Sequence, residues 1–221
     1  TGGCTLNLYD GIRIASTAES SYTYGGAVAV ETGVFNMYGG TIVGRETKND
    51  GGAVYIKKAD FNLYGGNIVG GIAGGGEGGA VAVDTGNFYM TGGKIEGNTC
   101  DGNGAAFLGS GANTVINVKG YDFTGCNGTN GSVATIQSKA VFNVEDCKFY
   151  DNQARTTGTV YISTYSFASF TNCKFYNNKA PKQAGAIFGA QDSDVTISDC
   201  IFTENTAGTD GGAILCRGSF Y

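Results

Sequence analysis

The stretch Gly51-Gly52-Ala53-Val54-Tyr55-Ile56 shows the unit from which this chain is built. Its residues alternate, so that Val54 and Ile56 point to one side of a strand while Ala53 and Tyr55 point to the other. The motif of a Gly followed by a small residue and apolar positions recurs at steps of 25 to 27 residues, from Gly26, Gly52, Gly79, Gly104, Gly131, Gly158, Gly185 and Gly212. A repeat of this length is typical of a solenoid.

Two further markers keep the same period. One is a single large apolar residue, at Ile42, Ile68, Ile95, Phe123, Phe149, Phe175 and Phe202. The other is a pair of apolar residues two positions apart, as in Phe35/Met37, Phe61/Leu63 and Phe142/Val144. A single unit cannot bury its apolar face, whereas stacked units can. We therefore predict an all-β chain, a right-handed parallel β-helix of about eight coils of 26–27 residues with three short strands per coil.

Composition excludes several classes of protein. The chain of 221 residues has 39 Gly, one Pro and no His, and its net charge is −5 without a basic stripe, which argues against nucleic acid as a partner. No apolar run is long enough for a membrane span. The seven Cys have no metal-ligand spacing, so we predict neither metal nor cofactor. Residues 1–221 are interpreted as one β-helix domain, a fragment of a longer solenoid.

Stacking predicts ladders of equivalent residues. An Asn ladder, interpreted as structural with a ligand role as the alternative, contains Asn98, Asn152, Asn178 and Asn205. A Cys ladder, Cys147, Cys173 and Cys200, is expected to point inward, where stacked thiols and a disulfide between neighbouring rungs both remain open. Cys100 and Cys126 lie in turns and are expected to be reactive.

An outward column is the candidate contact face. It contains the large residues Tyr55, Phe107, Tyr161, Phe188 and Leu215, beside a column of small residues. Exposed apolar surface of this extent marks a contact site. Three occupants are weighed: neighbouring coils or domains, a partner that includes a second copy of the chain, and a sugar stacked on the aromatic rings.

Two other features bear on function. Asn127 and Asn130 each begin an N-glycosylation pattern, which matters only in a eukaryotic secretory route. Carboxylates such as Asp50 and Glu77 lie in turns, where solvated charges are expected, and a hydrolase would need two of them facing one sugar bond. Because the connections are short and His is absent, we expect no enzymatic activity.

The repeats resemble those of the chlamydial polymorphic membrane proteins and related right-handed β-helix adhesins. The matching motifs are Gly-Gly-Ala-Ile/Val, at Gly51–Val54 and Gly211–Ile214, and Phe-x-x-Asn, ending at Asn152, Asn178 and Asn205. The resemblance implies an extracellular, cell-surface location and a role in structure or adhesion, with a host surface or glycan as partner. Two alternatives are a self-assembling filament or sheath subunit and a polysaccharide lyase or glycoside hydrolase.

Overall fold

The computed structural model describes residues 3–15 and 23–217, and the regular structure within these ranges consists of 31 strands, numbered in chain order. Each coil adds one strand to each of three sheets and a short strand to a fourth sheet. Sheet I contains β3 (Val28–Val30), β7 (Val54–Lys57), β11 (Val81–Asp84), β15 (Phe107–Ser110), β19 (Ala134–Gln137), β23 (Val160–Ile162), β27 (Ile187–Gly189) and β31 (Ile214–Cys216). Sheet II contains β1 (Cys4–Leu8), β4 (Gly33–Met37), β8 (Ala59–Leu63), β12 (Asn87–Met90), β16 (Val115–Lys119), β20 (Val141–Glu145), β24 (Phe167–Thr171) and β28 (Asp194–Ser198).

The third and fourth sheets are each divided into two parts. Sheet III contains β2 (Arg13–Ala15), β5 (Thr41–Val43), β9 (Asn67–Val69) and β13 (Lys94–Glu96), then β17 (Asp122–Thr124), β21 (Lys148–Tyr150), β25 (Lys174–Tyr176) and β29 (Ile201–Thr203). Sheet IV contains β6 (Glu46–Thr47), β10 (Ile72–Ala73) and β14 (Thr99–Cys100), then β18 (Asn127–Asn130), β22 (Gln153–Thr157), β26 (Lys179–Ala180) and β30 (Thr206–Ala207).

Every strand pair is parallel and joins equivalent residues of successive coils. Phe35 is opposite Phe61, and Phe61 is opposite Phe88. This pairing satisfies backbone hydrogen bonds between coils, and seven steps of about 4.8 Å give a rod roughly 34 Å long. The predicted fold, a parallel β-solenoid of about eight turns with three main strands per coil, is confirmed.

The core is a set of stacked side chains inside the coil. The rings of Phe35 and Phe61 stack with centroids 4.5 Å apart. At the other end, Phe175 stacks on Phe149 at 4.5 Å and on Phe202 at 4.8 Å. Apart from Phe202 in the last coil, these rings are fully buried. Equivalent side chains of successive coils thus pack directly on one another in the core.

The interruption of sheet III falls where the spacing of the repeat lengthens to 28 residues, between Ile95 and Phe123. Tyr121 fills this step. Its hydroxyl accepts the backbone N–H of Ile95 at 2.9 Å and donates to the carbonyl of the same residue at 3.3 Å. One side chain therefore satisfies backbone groups that the sheet leaves unpaired at this point.

The corner that precedes sheet I corrects the repeat alignment. It has positive φ in every coil, at Gly25, Gly51, Gly78, Gly104, Gly131, Gly158, Ala184 and Gly211. Glycine suits this conformation, and a Cβ on Gly104 would also lie only 2.1 Å from the carbonyl oxygen of Phe107. In coils with Gly-Gly the first glycine is the one with positive φ, and Gly104 and Gly131 are equivalent to that first glycine. Their alignment with Gly52 and Gly79 is therefore wrong by one residue. The alignment of the strand after Gly158 is as predicted, because Val160 pairs with Ile187.

The placement of Phe107 on the outward contact face is wrong for the same reason. Phe107 pairs with Val81 in the inward column, and Leu108 pairs with Ala82 in the outward column. The Phe107 ring is fully buried and lies 5.5 Å from the rings of both Phe88 and Phe123. Phe107 is thus a core residue, and Leu108 takes its place outside.

Candidate ligand-binding surface

The outward column of sheet I forms the floor of a trough along the rod. Its members are Ala29, Tyr55, Ala82, Leu108, Thr135, Tyr161, Phe188 and Leu215. Tyr161 and Phe188 stack at 5.0 Å. The prediction that this column is a broad exposed apolar face is wrong, because Tyr55, Leu108 and Phe188 are each 8% exposed or less.

One edge of the trough is formed by the turn residues that directly precede the positive-φ corners. The backbone N–H of Glu77 donates to Oδ1 of Asp50 at 2.9 Å, and Nδ2 of Asn103 donates to Oε1 of Glu77. Oδ1 of Asn103 in turn accepts the N–H of Asn130 at 2.9 Å. These bonds form a relay of hydrogen bonds along this edge, in which the carboxylates of Asp50 and Glu77 already link successive coils.

Asp50 and Glu77 are not the solvated charges that their turn positions predicted. Burial raises the pKa of the Asp50 carboxyl, and the nearby charge of Asp84 raises this pKa further. Burial also raises the pKa of Glu77, with a smaller contribution from Asp50. Oδ1 of Asp50 and Oε1 of Glu77 both accept hydrogen bonds of the relay, as expected of side chains that stabilise turns. Asp192 and Asp194, by contrast, are exposed.

Side chains from both edges of the trough cover its aromatic floor. The Tyr55 hydroxyl donates to Oδ2 of Asp84 at 3.3 Å, and Tyr24 stacks on the Tyr55 ring at 4.6 Å. Burial and the Asp84 charge raise the pKa of Tyr55. At the far end, the guanidinium of Arg217 lies 5.6 Å from the centre of the Phe188 ring. The chain's own side chains thus cover most of the predicted contact face.

The Asn ladder lies inside the turn between sheets III and IV. Nδ2 of Asn152 donates to Oδ1 of Asn178 at 3.0 Å, and Nδ2 of Asn178 donates to Oδ1 of Asn205 at 2.8 Å. Each Nδ2 also donates to a backbone carbonyl. Asn98 is separated from these three, and its Oδ1 accepts the N–H of Gly71 at 2.8 Å. Buried amides with these partners have little capacity left for a ligand.

The Cys ladder points inward, and its sulfurs are free thiols. Cys147 and Cys173 are buried and Cys200 is half-buried, and the backbone N–H of Cys173 donates to Sγ of Cys200 at 3.3 Å. Burial raises the pKa of Cys147 to about 11 and that of Cys173 to about 12. These are the properties of small apolar core residues.

The prediction that Cys100 and Cys126 are reactive is not supported by their surroundings. Cys100 is buried and Cys126 is half-buried, and the two pack in one small cluster with Ala73 and Ala105. Burial raises the pKa of both thiols to about 12. Little thiolate therefore exists at neutral pH.

The two glycosylation patterns lie together on β18. Asn127 is exposed, and its Oδ1 accepts Nε of Arg155 at 3.1 Å. Asn130 is half-buried, and the Ser132 hydroxyl of its pattern is fully buried. Asn127 is therefore the more accessible of the two acceptors.

The outer face of sheet II carries a row of mostly polar, half-buried to exposed residues that the sequence motifs did not indicate. Its central residues are Asn7, Asn36, Asn62, Tyr89, Asn117, Asn143, Ser169 and Thr196. Nδ2 of Asn36 donates to Oδ1 of Asn7, and Nδ2 of Asn62 donates to Oδ1 of Asn36, both at 2.9 Å. The signal was present in the sequence, since these residues lie between the paired apolar markers.

A cavity of about 480 Å³ opens in this face beside Tyr89. Its floor contains Asn117, Asn143 and Ser169, and its edge includes Lys119 and Glu145. The volume falls within the roughly 300–1,000 Å³ of small-molecule sites. Tyr89 is 38% exposed, so its ring forms an accessible wall.

A stack of exposed tyrosines borders the same face at the first coils. Tyr38 stacks on Tyr9 at 5.2 Å and on Tyr64 at 5.1 Å, with all three rings between 45% and 58% exposed. Thr91 follows in the next coil, where its N–H continues the same series of hydrogen bonds. Tyr9, Tyr38 and Tyr64 therefore give this flank of the rod a continuous accessible aromatic surface.

Residues 3–15 and 23–217 contain no group of three or more His, Cys, Asp or Glu that could hold a metal ion. Within the same ranges, no helix is long and apolar enough to cross a membrane.

The comparisons with known proteins agree with the architecture. A family model described as a right-handed beta helix region matches residues 70–220. The chain belongs to this right-handed β-helix family, which includes pectate lyases as well as non-enzymes. No curated protein and no solved structure matches the chain.

Proposed function

We propose that this chain is an extracellular structural and adhesion module, a rigid β-solenoid that contacts its partner through the outer face of sheet II. The observation that carries the proposal is the row of half-buried amides on that face, flanked by exposed tyrosine rings, with the cavity beside Tyr89. A flat face on a rod of stacked coils presents many similar groups at one spacing, which suits a repetitive partner.

Two further observations support a binding role over a catalytic one. Asp50 and Glu77, the paired carboxylates of the trough, are engaged in the relay that links successive coils. The Gly-Gly-Ala and Phe-x-x-Asn repeats also resemble those of bacterial surface adhesins, which is the basis for placing the chain outside the cell.

Adhesion is tested with beads coated with the chain and applied to cells and extracellular matrix. A double variant, Asn117→Glu with Ser169→Glu, adds two negative charges to the outer face of sheet II. Its matched control, Thr124→Glu with Thr203→Glu, adds the same charge to exposed positions on the outer face of sheet III. We expect adhesion by the wild type and the control, and loss of adhesion by the sheet II variant. Wild-type beads that adhere no better than uncoated beads, or equal loss in both variants, would contradict the proposal.

A further inference from the structure

Tyr89 interrupts a directional ladder of hydrogen bonds. On both sides of it each side chain donates to the preceding rung: Nδ2 of Asn143 donates to Oδ1 of Asn117 at 3.0 Å, and the Ser169 hydroxyl donates to Oδ1 of Asn143 at 2.8 Å. Tyr89 stands in register between Asn62 and Asn117. Its ring offers no amide oxygen to the following rung and no amide N–H to the preceding one.

The interruption leaves one donor and one acceptor without partners among the described residues. Nδ2 of Asn117 makes no side-chain bond to the Tyr89 rung, and Oδ1 of Asn62 receives none from it. The two amides lie two rungs apart, roughly 9–10 Å along the rod. An aromatic face thus stands between a free amide donor and a free amide acceptor.

The cavity beside Tyr89 is elongated along the rod axis. It extends from Tyr89 across Asn117 and Asn143 to Ser169, which is three rung intervals or about 14 Å. Such a groove fits several linked units that run along the rod axis better than it fits one compact ligand.

The charges at the edge favour a neutral ligand. Nζ of Lys119 lies 2.7 Å from Oε1 of Glu145 and 3.6 Å from Oδ2 of Asp146. The cation is therefore already paired, and the three groups sum to one negative charge. A polyanion would meet net repulsion here.

We propose that the groove beside Tyr89 binds a neutral polysaccharide, with one pyranose ring stacked on the Tyr89 ring and a sugar hydroxyl bonded to the amide of Asn117, which lines the same groove. The apolar C–H face of a sugar ring matches the aromatic face, and a sugar hydroxyl can accept the hydrogen bond that the unpaired Nδ2 of Asn117 offers. This inference rests on the proposed function, since it names the partner class for the same face.

The test compares two variants by affinity electrophoresis in gels that contain hydroxyethyl cellulose, xylan, glucomannan or laminarin, with polygalacturonate as the anionic polymer. Tyr89→Asn removes the ring and supplies the amide that the rest of the row uses. Tyr176→Thr, the control, removes a half-buried ring on the outer face of sheet III, outside the cavity, and introduces the residue that follows it in its own column, Thr203. Circular dichroism and the thermal midpoint check that both variants fold.

We expect at least one neutral polysaccharide to retard the wild type and the Tyr176→Thr variant, with Tyr89→Asn bound about tenfold more weakly. Retardation by polygalacturonate alone, retardation by no polymer, or equal retardation of wild type and Tyr89→Asn would overturn the subsite. If the coated beads adhere through sheet II while Tyr89→Asn beads adhere equally well, the face binds a partner of another class and only the polysaccharide inference fails.

Discussion

Replacing Asn178 with Ala tests whether the buried amide ladder holds the coils together. The Asn178 side chain is fully buried and takes part in four hydrogen bonds. Its Nδ2 donates to the carbonyl of Phe149 and to Oδ1 of Asn205, both at 2.8 Å. Its Oδ1 accepts Nδ2 of Asn152 at 3.0 Å and the N–H of the same residue at 3.2 Å.

The substitution deprives two buried backbone groups, the Phe149 carbonyl and the Asn152 N–H, of their side-chain partner. Each buried polar group left without a partner costs about 1–3 kcal/mol, so we expect the free energy of unfolding to fall by about 3–4 kcal/mol. Asn143→Ala is the matched control. The Asn143→Ala substitution also removes two ladder bonds, to Asn117 and Ser169, but these lie on the outer face, where water replaces them. Its expected cost in unfolding free energy is below about 1 kcal/mol.

The assay is urea unfolding followed by far-ultraviolet circular dichroism and by tyrosine fluorescence. Stacked repeats can lose cooperativity, so the two signals must coincide before a free energy is derived. A cost for Asn178→Ala within about 1 kcal/mol of that for Asn143→Ala would refute the reasoning, because burial would then add nothing to the value of the ladder.

Three further outcomes are expected. Phe107→Ala should cost about 3–5 kcal/mol of unfolding free energy in the same assay and Leu108→Ala clearly less, because only Phe107 lies in the central core; the reverse order would show that the register of β15 is wrong. Burial raises the pKa of Asp50 and Glu77, so the folded state keeps protons that the unfolded chain has lost, and the free energy of unfolding falls as the pH rises above about 4. Asp50→Asn retains the acceptor for the Glu77 N–H and should flatten this fall in urea titrations between pH 4 and 6. An unchanged slope would show that Asp50 does not titrate as described. Iodoacetamide at pH 8 should label exposed Cys4 at least about a hundredfold faster than Cys100 and Cys147, as measured by peptide mapping with mass spectrometry. The reason is that burial raises the pKa of Cys100 to about 12 and that of Cys147 to about 11. Comparable rates in the native protein would show that these thiols are accessible.

The sequence by itself determined the architecture. Ile42, Ile68 and the later members of their column point inward, as their spacing predicts. The paired apolar residues also lie opposite their equivalents in the next coil, with Phe35 opposite Phe61 and Met37 opposite Leu63. The reason is physical: side chains of a strand alternate with a period of two, and a constant repeat places equivalent residues of successive coils on the same side. Asn152 and Asn178 also lie in a ladder for this reason, since equal spacing places equal residues one above another.

Only the tertiary structure decided which surfaces are accessible. Phe107 and Leu108 are adjacent apolar residues in a coil with a single corner glycine, so the sequence leaves their order undetermined, and the pairing of β15 with β11 decides it. Likewise, Tyr55 points outward as its phase requires and yet is 8% exposed, because Tyr24 and Asp84 from neighbouring segments cover it. The period of the repeat determines the direction of a side chain, whereas its exposure depends on what neighbouring segments place beside it. For that reason Tyr55 is covered, while Tyr89, which also points outward, is 38% exposed.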